Sequence, residues 1–319
     1  MTLRRVMAAA MCAAALASCS SSSSDALNQV RDVLTIPPGD APPAATTTVA
    51  PPACDPTASL RPNGPLPAPG DMPIGTRMHD IQVRGRLRVG VDQTTLHFGY
   101  RDPSRVDQIQ GFDIDLLHQM AQAILGDPDK IDFKALTTGQ RLTAVENGDV
   151  DMVASLVTMT CDRWQDVSFS NVYLLGHQGV MVPMGSDIAS YRDLKGHTVC
   201  ATIGSTSLKN IVRLVPGVVV DPVATRIQCL VDLQSGKADA ITSDDTILEG
   251  FQAQDPLTKI LDEQLTDEPY GIVINQKYPE LVRFVNAVLS EMRADGTLNT
   301  IDEKWLGDIQ PPPPPQYKD

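Results

Sequence analysis

The sequence predicts an α/β protein of two similar lobes, each a mainly parallel sheet flanked by helices. Three observations carry this. First, buried strand-like runs alternate with amphipathic helices through a body of about 230 residues, 77–308. Second, the pattern Leu142-x5-Gly148-x2-Asp151-x3-Ser155 returns as Leu230-x5-Gly236-x2-Asp239-x3-Ser243, offset by 88 residues at every matched position. Third, the strand-like run Arg86–Asp92 that opens the first half has a counterpart, His197–Ile203, opening the second.

The elements follow in order. Arg4 and Arg5, the apolar run Val6–Ala17 and the small residues before Cys19 read as a signal peptide over residues 1–18. The Leu16-Ala17-Ser18-Cys19 run resembles the bacterial lipobox, which implies acylation of Cys19. The apolar run is 12 residues long, too short to span ~30 Å of hydrocarbon, which takes about 20 residues. Residues 19–76 read as a lipidated, Ser/Pro/Ala-rich tether, since 12 of the chain's 25 prolines lie between Pro37 and Pro73. In the body, Arg86–Asp92 reads as a buried strand. Phe112–Leu125 reads as a helix, because Leu117, Met120, Ala121, Ile124 and Leu125 share one face. Lys130–Leu136 is then a strand, Gln140–Asn147 a helix stopped by Gly148, and Val150–Ser155 a strand. A proline run, Pro311–Pro315, marks 309–319 as a Pro-rich tail.

Cysteines and charge narrow the class. With Cys12 in the signal and Cys19 acylated, four cysteines remain, and an even number in an exported chain suggests two disulfides with three possible connectivities. Cys200 begins a strand-like stretch and Cys229 lies on a predicted helix of the same half, so these two are expected to pair, leaving Cys54 with Cys161. No CxxC or CxH spacing occurs and the five histidines are scattered, so no metal is expected. The chain has 26 Lys+Arg against 39 Asp+Glu and a net charge of −13, with no basic run. Phosphate neutralisation needs clustered cations, so nucleic acid is excluded as a partner.

The body resembles the family 3 extracellular solute-binding proteins, the polar amino-acid receptors of ABC import systems. The matching stretches are RLRVGVD (86–92), GFDIDL (111–116), ENGDVDMVASLVTMTCDR (146–163), VSFSNVYL (167–174), DLKGHTVCATIGSTS (193–207), SGKADAITSDD (235–245), YGIVIN (270–275) and VNAVLSEMRADGTLNTIDEKW (285–305). The lipobox, spacer and cysteine positions are most similar to the actinobacterial glutamine/glutamate-binding lipoproteins. The resemblance implies a type II periplasmic-binding-protein-like fold. Its first lobe would be 77–172 plus 271–308, its second 177–265, with a two-strand hinge near Tyr173–Gly176 and Thr266–Tyr270 that closes around ligand.

It also implies a binding site. Arg163 matches the arginine that takes the ligand α-carboxylate, a role suited to a planar guanidinium fork. Thr158 matches a supporting hydroxyl, and Leu156 a position whose carbonyl accepts from the ammonium. Gly204-Ser205-Thr206, between a strand and a helix, resembles the second-lobe clamp on the same carboxylate, in keeping with anion binding at helix N-termini. Asp244 matches the ammonium-binding aspartate, with Asp245 as cap of a helix at Thr246–Gln252. Members often stack ligand between aromatic rings, but the positions aligned with those rings hold Thr95 and Thr138. Phe98 is a pocket or core residue. TTGQRLTAVENG (137–148) resembles the acidic-amino-acid receptors, in which an arginine at the position of Arg141 reaches the side-chain carboxylate. Arg101 is a further candidate.

The expected function is therefore a non-enzymatic receptor, anchored outside the cytoplasm by lipid on Cys19. It would bind Glu, Asp or their amides, Gln and Asn, without a cofactor, and present them to an ABC permease. A lipoprotein signalling ligand status to a membrane sensor protein and a dehydratase on the same fold are the alternatives. No GxxxxGK[ST] loop, HExxH or Ser/His/Asp ordering is present. A monomer is what the family implies.

Overall fold

The computed structural model describes residues 54–105, 108–307 and 311–319; Cys19, the signal peptide and the first part of the tether lie outside them. The strands are β1 (Ala58–Ser59), β2 (Leu87–Val91), β3 (Thr94–Thr95), β4 (Gly99–Tyr100), β5 (Ile131–Ala135), β6 (Met152–Val153), β7 (Val167–Phe169), β8 (Leu174–Pro183), β9 (Thr198–Thr202), β10 (Val219–Val223), β11 (Ala240–Asp244), β12 (Thr258–Ile260), β13 (Asp267–Tyr270), β14 (Val273–Asn275) and β15 (Gln316–Tyr317). The helices are α1 (Arg77–Arg84), α2 (Phe112–Leu125), α3 (Arg141–Glu146), α4 (Thr206–Leu214), α5 (Arg226–Gln234), α6 (Asp245–Gln254), α7 (Pro279–Ala294) and α8 (Thr297–Trp305).

Two sheets organise these elements. The first runs β5-β2-β6-β14-β7 and the second β10-β9-β11-β8-β12, with β13 also paired to β8. In each, three parallel strands stand in the order second, first, third: β5-β2-β6 and β10-β9-β11. Both sheets are then extended by antiparallel strands, so they are mixed where mainly parallel sheets were expected. The antiparallel strands are the crossing segments. β8 leaves the first half, pairs with β13 over Leu174–His177, and only then enters the second sheet at Gln178.

The repeat holds bond by bond. Asp151 N–H donates to Arg88 O, and Asp239 N–H to Thr198 O, each at 2.8 Å. Each aspartate's Oδ2 in turn accepts the N–H of that same strand residue at 2.8 Å. Gly148 and Gly236 end their helices at φ 74° and 72°, a left-handed conformation that glycine adopts without a Cβ penalty.

Helix α2 spans the expected residues and buries Leu116, Leu117, Met120, Ala121 and Ile124. Two elements differ from expectation. The strand expected over Val150–Ser155 is laddered only at Met152–Val153, because the chain then bends through Leu156 at φ 50° and turns its carbonyls out of the sheet. The helix expected from Gln140 is preceded by a 3-10 turn at Thr138–Gln140, closed by reciprocal bonds between Thr137 and Gln140.

Both chain ends correct the expected domain layout. Residues 54–76 are not spacer: Cys54 bonds to Cys161, and Ala58, Ser59 and Met72 are buried against the body. Residues 311–319 are not a free tail, since β15 pairs in parallel with β1 and Asp319 meets Arg283. The second disulfide is Cys200–Cys229, with a Cα–Cα distance of 5.4 Å. Among the described residues no helix is long and apolar enough to cross a membrane.

Candidate functional site

The carboxyl ends of β6, β9 and β11 converge on one narrow cavity of about 10 Å³, lined from the first half by Thr138, Arg141, Leu156 and Thr158 and from the second by Ser205, Thr206, Arg226 and Asp244. That is room for about one water molecule, so the loops of the two halves stand nearly closed on each other here.

Arg141, the first residue of α3, is 3% exposed. Its Nε donates to Thr138 O at 3.0 Å, and its Nη1 to Ser155 O at 2.6 Å and Leu156 O at 3.1 Å. These three bonds fix the fork rigidly, while Nη2 has no acceptor among the described residues. Beside it, the buried Thr138 hydroxyl also lacks a partner. Burial, then the Arg226 and Arg163 guanidinia, push Arg141 well below the usual arginine range. The site thus holds two unused donors among the described residues, Arg141 Nη2 and the Thr138 hydroxyl.

Arg163 begins a single 3-10 turn, Arg163–Gln165, at the edge of this cavity. Its Nη1 donates to Thr158 O at 2.6 Å and its Nη2 reaches the second half at Gly204 O, 3.0 Å away. Thr158 Oγ1 lies 3.3 Å from Thr206 Oγ1, which donates to Glu268 at 2.7 Å. At this junction the loops nearly touch: a Cβ on Gly204 (φ 82°) would sit 2.8 Å from Gly139 Cα, so only glycine permits the approach. Ser205 caps α4, its hydroxyl accepting the Leu208 N–H at 3.1 Å.

Asp244 is 5% exposed at the end of β11. Its carboxylate accepts from Tyr270 OH at 2.8 Å and Ser207 Oγ at 3.2 Å. Burial, then the neighbouring Glu268, push it up to about 7. Asp244 holds the N-cap position of α6 without capping it. Nor does Asp245 cap the helix as expected: it is the first helical residue, and its carboxylate takes the Thr246 and His177 N–H groups.

The cavity thus brings together Arg141, Leu156, Thr158, Ser205, Thr206 and Asp244, with Arg163 at its margin. It does not include Phe98, which is 1% exposed and packs 6.0 Å from the Phe112 ring in the core. Arg101 turns instead to Gln93. The residue that sequence reasoning missed is Arg226. It is 4% exposed on the second half, yet donates to Thr95 Oγ1 at 3.1 Å and Ser155 O at 3.0 Å and pairs with Asp92 at 3.4 Å, all on the first half. A signal for it existed, because the 88-residue offset maps Thr138 onto Arg226 and the N-cap Thr137 onto the N-cap Thr225.

Comparison with known proteins fits this arrangement. Residues 87–308 match the family model described as bacterial extracellular solute-binding proteins, family 3. The chain is 37% identical to the ABC transporter glutamine-binding protein GlnH of Bacillus subtilis, over 71% of this chain and 83% of that one. It is 31% identical to the glutamate-binding protein GluB of Corynebacterium glutamicum, over 76% and 86%. Among solved structures, an ancestral arginine-binding protein bound to glutamine superposes with a TM-score of 0.66 at 35% identity, covering 70% of this chain and 99% of that one.

Proposed function

We propose that this chain, which belongs to the bacterial extracellular solute-binding proteins of family 3, is an amino-acid receptor whose two lobes close on aspartate or glutamate in preference to their amides. Arg163, Thr158 and the N-terminus of α4 with Ser205 and Thr206 take the α-carboxylate. Asp244 takes the ammonium, with the Leu156 carbonyl beside it, and Arg141 with Thr138 takes the side-chain carboxylate. The receptor hands its ligand to an ABC permease from outside the cytoplasm, held to the membrane by lipid on Cys19. The relatives that bind glutamine and glutamate support the receptor class.

One observation supports the acid over the amide: the Arg141 guanidinium is 3% exposed beside this cavity and has no ion-pair partner among the described residues, whereas the equally buried Arg226 already meets Asp92. Buried cations need anions, because an uncompensated buried charge costs several kcal/mol. A ligand carboxylate supplies one; an amide does not. Calorimetric titration with Asp, Glu, Asn and Gln tests this. Arg163→Ala should weaken all four alike, by on the order of a hundredfold, for loss of a bidentate charge-assisted contact. Arg141→Lys keeps a cation without the fork and should weaken the acids far more than the amides. Equal losses for acids and amides would return Arg141 to a purely structural role. No loss on Arg163→Ala would overturn the site itself.

A further inference from the structure

The turn that carries Arg163 is three residues long, and its local side-chain support is the Arg163 N–H bond to Thr160 Oγ1 at 3.2 Å, too little to hold it rigid. It is held from outside. Two residues before Arg163, Cys161 is bonded to Cys54. One residue after it, Trp164 donates its indole N–H to Pro56 O at 2.8 Å and meets the Phe169 ring edge-on at 5.3 Å. The Lys318 ammonium sits 3.2 Å from the centre of the Trp164 ring. Lys318 is itself placed by its N–H to Ser59 O at 3.0 Å, and the adjoining Asp319 by Arg283 and by the Arg61 N–H at 2.8 Å. Ser59 is anchored in turn, donating to Phe169 O at 2.7 Å and accepting from Asn286 at 2.9 Å. Residues 54–59 and 316–319, some 258 positions apart in sequence, thus form one strap across the outer side of the Arg163 turn.

Both segments lie outside residues 87–308, the part matched by the family model. What they grip is the turn whose arginine spans from Thr158 to Gly204, across the two halves. We propose that this strap is a positioning device for the ligand arginine: by clamping Trp164 between Pro56 and Lys318 it sets where the Arg163 guanidinium stands when the lobes meet. Positioning matters here because a bidentate contact depends on the angle of the fork as well as on its charge.

The proposal rests on the reading of Arg163 as the α-carboxylate residue, and the test separates the two. The full chain carrying Trp305→Phe leaves Trp164 as the sole indole, since the sequence has two tryptophans. In that background, Arg163→Ala, Lys318→Met, Lys318→Arg and removal of residues 316–319 are each titrated with L-aspartate and L-glutamate by calorimetry and by indole emission. Lys318→Met should weaken both ligands roughly two- to fivefold, the worth of an exposed cation–π contact. It should also shift the Trp164 emission, while Lys318→Arg keeps the cation and restores affinity. Removing residues 316–319 should weaken binding further. If Arg163→Ala binds as tightly as the parent, the reading of the site fails. If Arg163→Ala weakens binding but Lys318→Met and the deletion lower only the melting temperature, the strap is structural and the proposal is overturned.

Discussion

Asp151 and Asp239 occupy the same place in the two halves of the molecule, bonded to the neighbouring strand in the same way, yet their surroundings differ. The Asp151 side chain has no exposure and meets Arg77, Arg84 and Arg88. The Asp239 side chain is 49% exposed, and its one charged or ionisable partner among the described residues is His197. The local motif is identical because the strand–helix geometry demands it. The difference comes from Arg88 on β2, where the second half has Thr198, and from α1, which carries Arg77 and Arg84 where the second half has only a 3-10 turn, Tyr191–Leu194. The repeat thus fixes a backbone device, and the chain outside it decides how much stability the device supports.

The largest expected effect follows from that burial. Asp151→Ala leaves three arginines facing an apolar stump and should cost about 3–5 kcal/mol, as removal of one partner from a buried ionic cluster does. Asp239→Ala should cost under about 1 kcal/mol beyond its backbone bonds, because an exposed pair contributes little. Urea melts of the two variants test this. Similar losses would mean that the strand bonds, and not α1, dominate the role of Asp151.

The disulfides extend the comparison. Each should contribute about 2–4 kcal/mol. Cys200 and Cys229 are 0% and 2% exposed within the second half, whereas Cys54 is exposed and Cys161 partly so. Graded thiol reductant should therefore open Cys54–Cys161 first, since accessible bridges exchange faster. Peptide mapping after partial reduction would show the order, and the reverse order would argue that the strap shields its own bridge.

What could be read from the chain divides along the same line. The paired halves were legible because a strand, its helix and a glycine stop are written in consecutive residues, and the 88-residue offset doubles the signal. Arg163, Thr158 and Asp244 were named as candidates by the resemblance, whose motifs are contiguous: Asp244 ends β11, while Thr158 and Arg163 lie on the loop and 3-10 turn that follow β6. The strap was not, because β1 and β15 pair residues 258 apart and a proline-rich run looks like a spacer whether or not it is docked. Arg226 escaped because its partners, Asp92, Thr95 and Ser155, belong to the opposite half. Phe98 misled because an aromatic near a site reads equally as lining or as core.

The two halves also each present a carboxyl group to a tyrosine of the crossing strands. Asp113 accepts from Tyr173 OH and Asp244 from Tyr270 OH, both at 2.8 Å. Burial raises each to about 7 from an ordinary 3.8. A carboxyl raised on folding contributes stability that is present below about pH 4 and lost as pH rises through about 7. The ligand-free protein should therefore melt higher at pH 5 than at pH 8, with Asp302, raised to about 6, adding to the slope. Ligand affinity should run the other way. If Asp244 receives the ammonium it must be charged, so binding should weaken by up to about tenfold per pH unit below 7. Asp113→Asn should flatten the melting slope and leave the affinity slope. Asp244→Asn should flatten the melting slope and remove the affinity slope together with most of the binding. If Asp113→Asn removed the affinity slope, the ammonium would belong to the first half.

The smallest effect tests the repeat at its most local. Gly148 and Gly236 have the same φ within two degrees, and neither would bring an added Cβ within 4 Å of another residue. Their helices end alike: Gly148 N–H donates to Val145 O and Gly236 N–H to Leu233 O, residues again 88 apart. With no steric clash at either site, alanine meets only the left-handed backbone, which costs an L-residue roughly 1–2 kcal/mol. Part of this is offset by the lower entropy of the unfolded alanine chain, leaving about 1 kcal/mol. Gly148→Ala and Gly236→Ala should therefore shift the urea midpoint by the same small amount, even though Asp151 and Asp239, three residues further on, differ severalfold. Unequal glycine losses would mean that α1 acts on the turn as well as on the aspartate, and the two halves would then share a pattern without sharing an energetic unit.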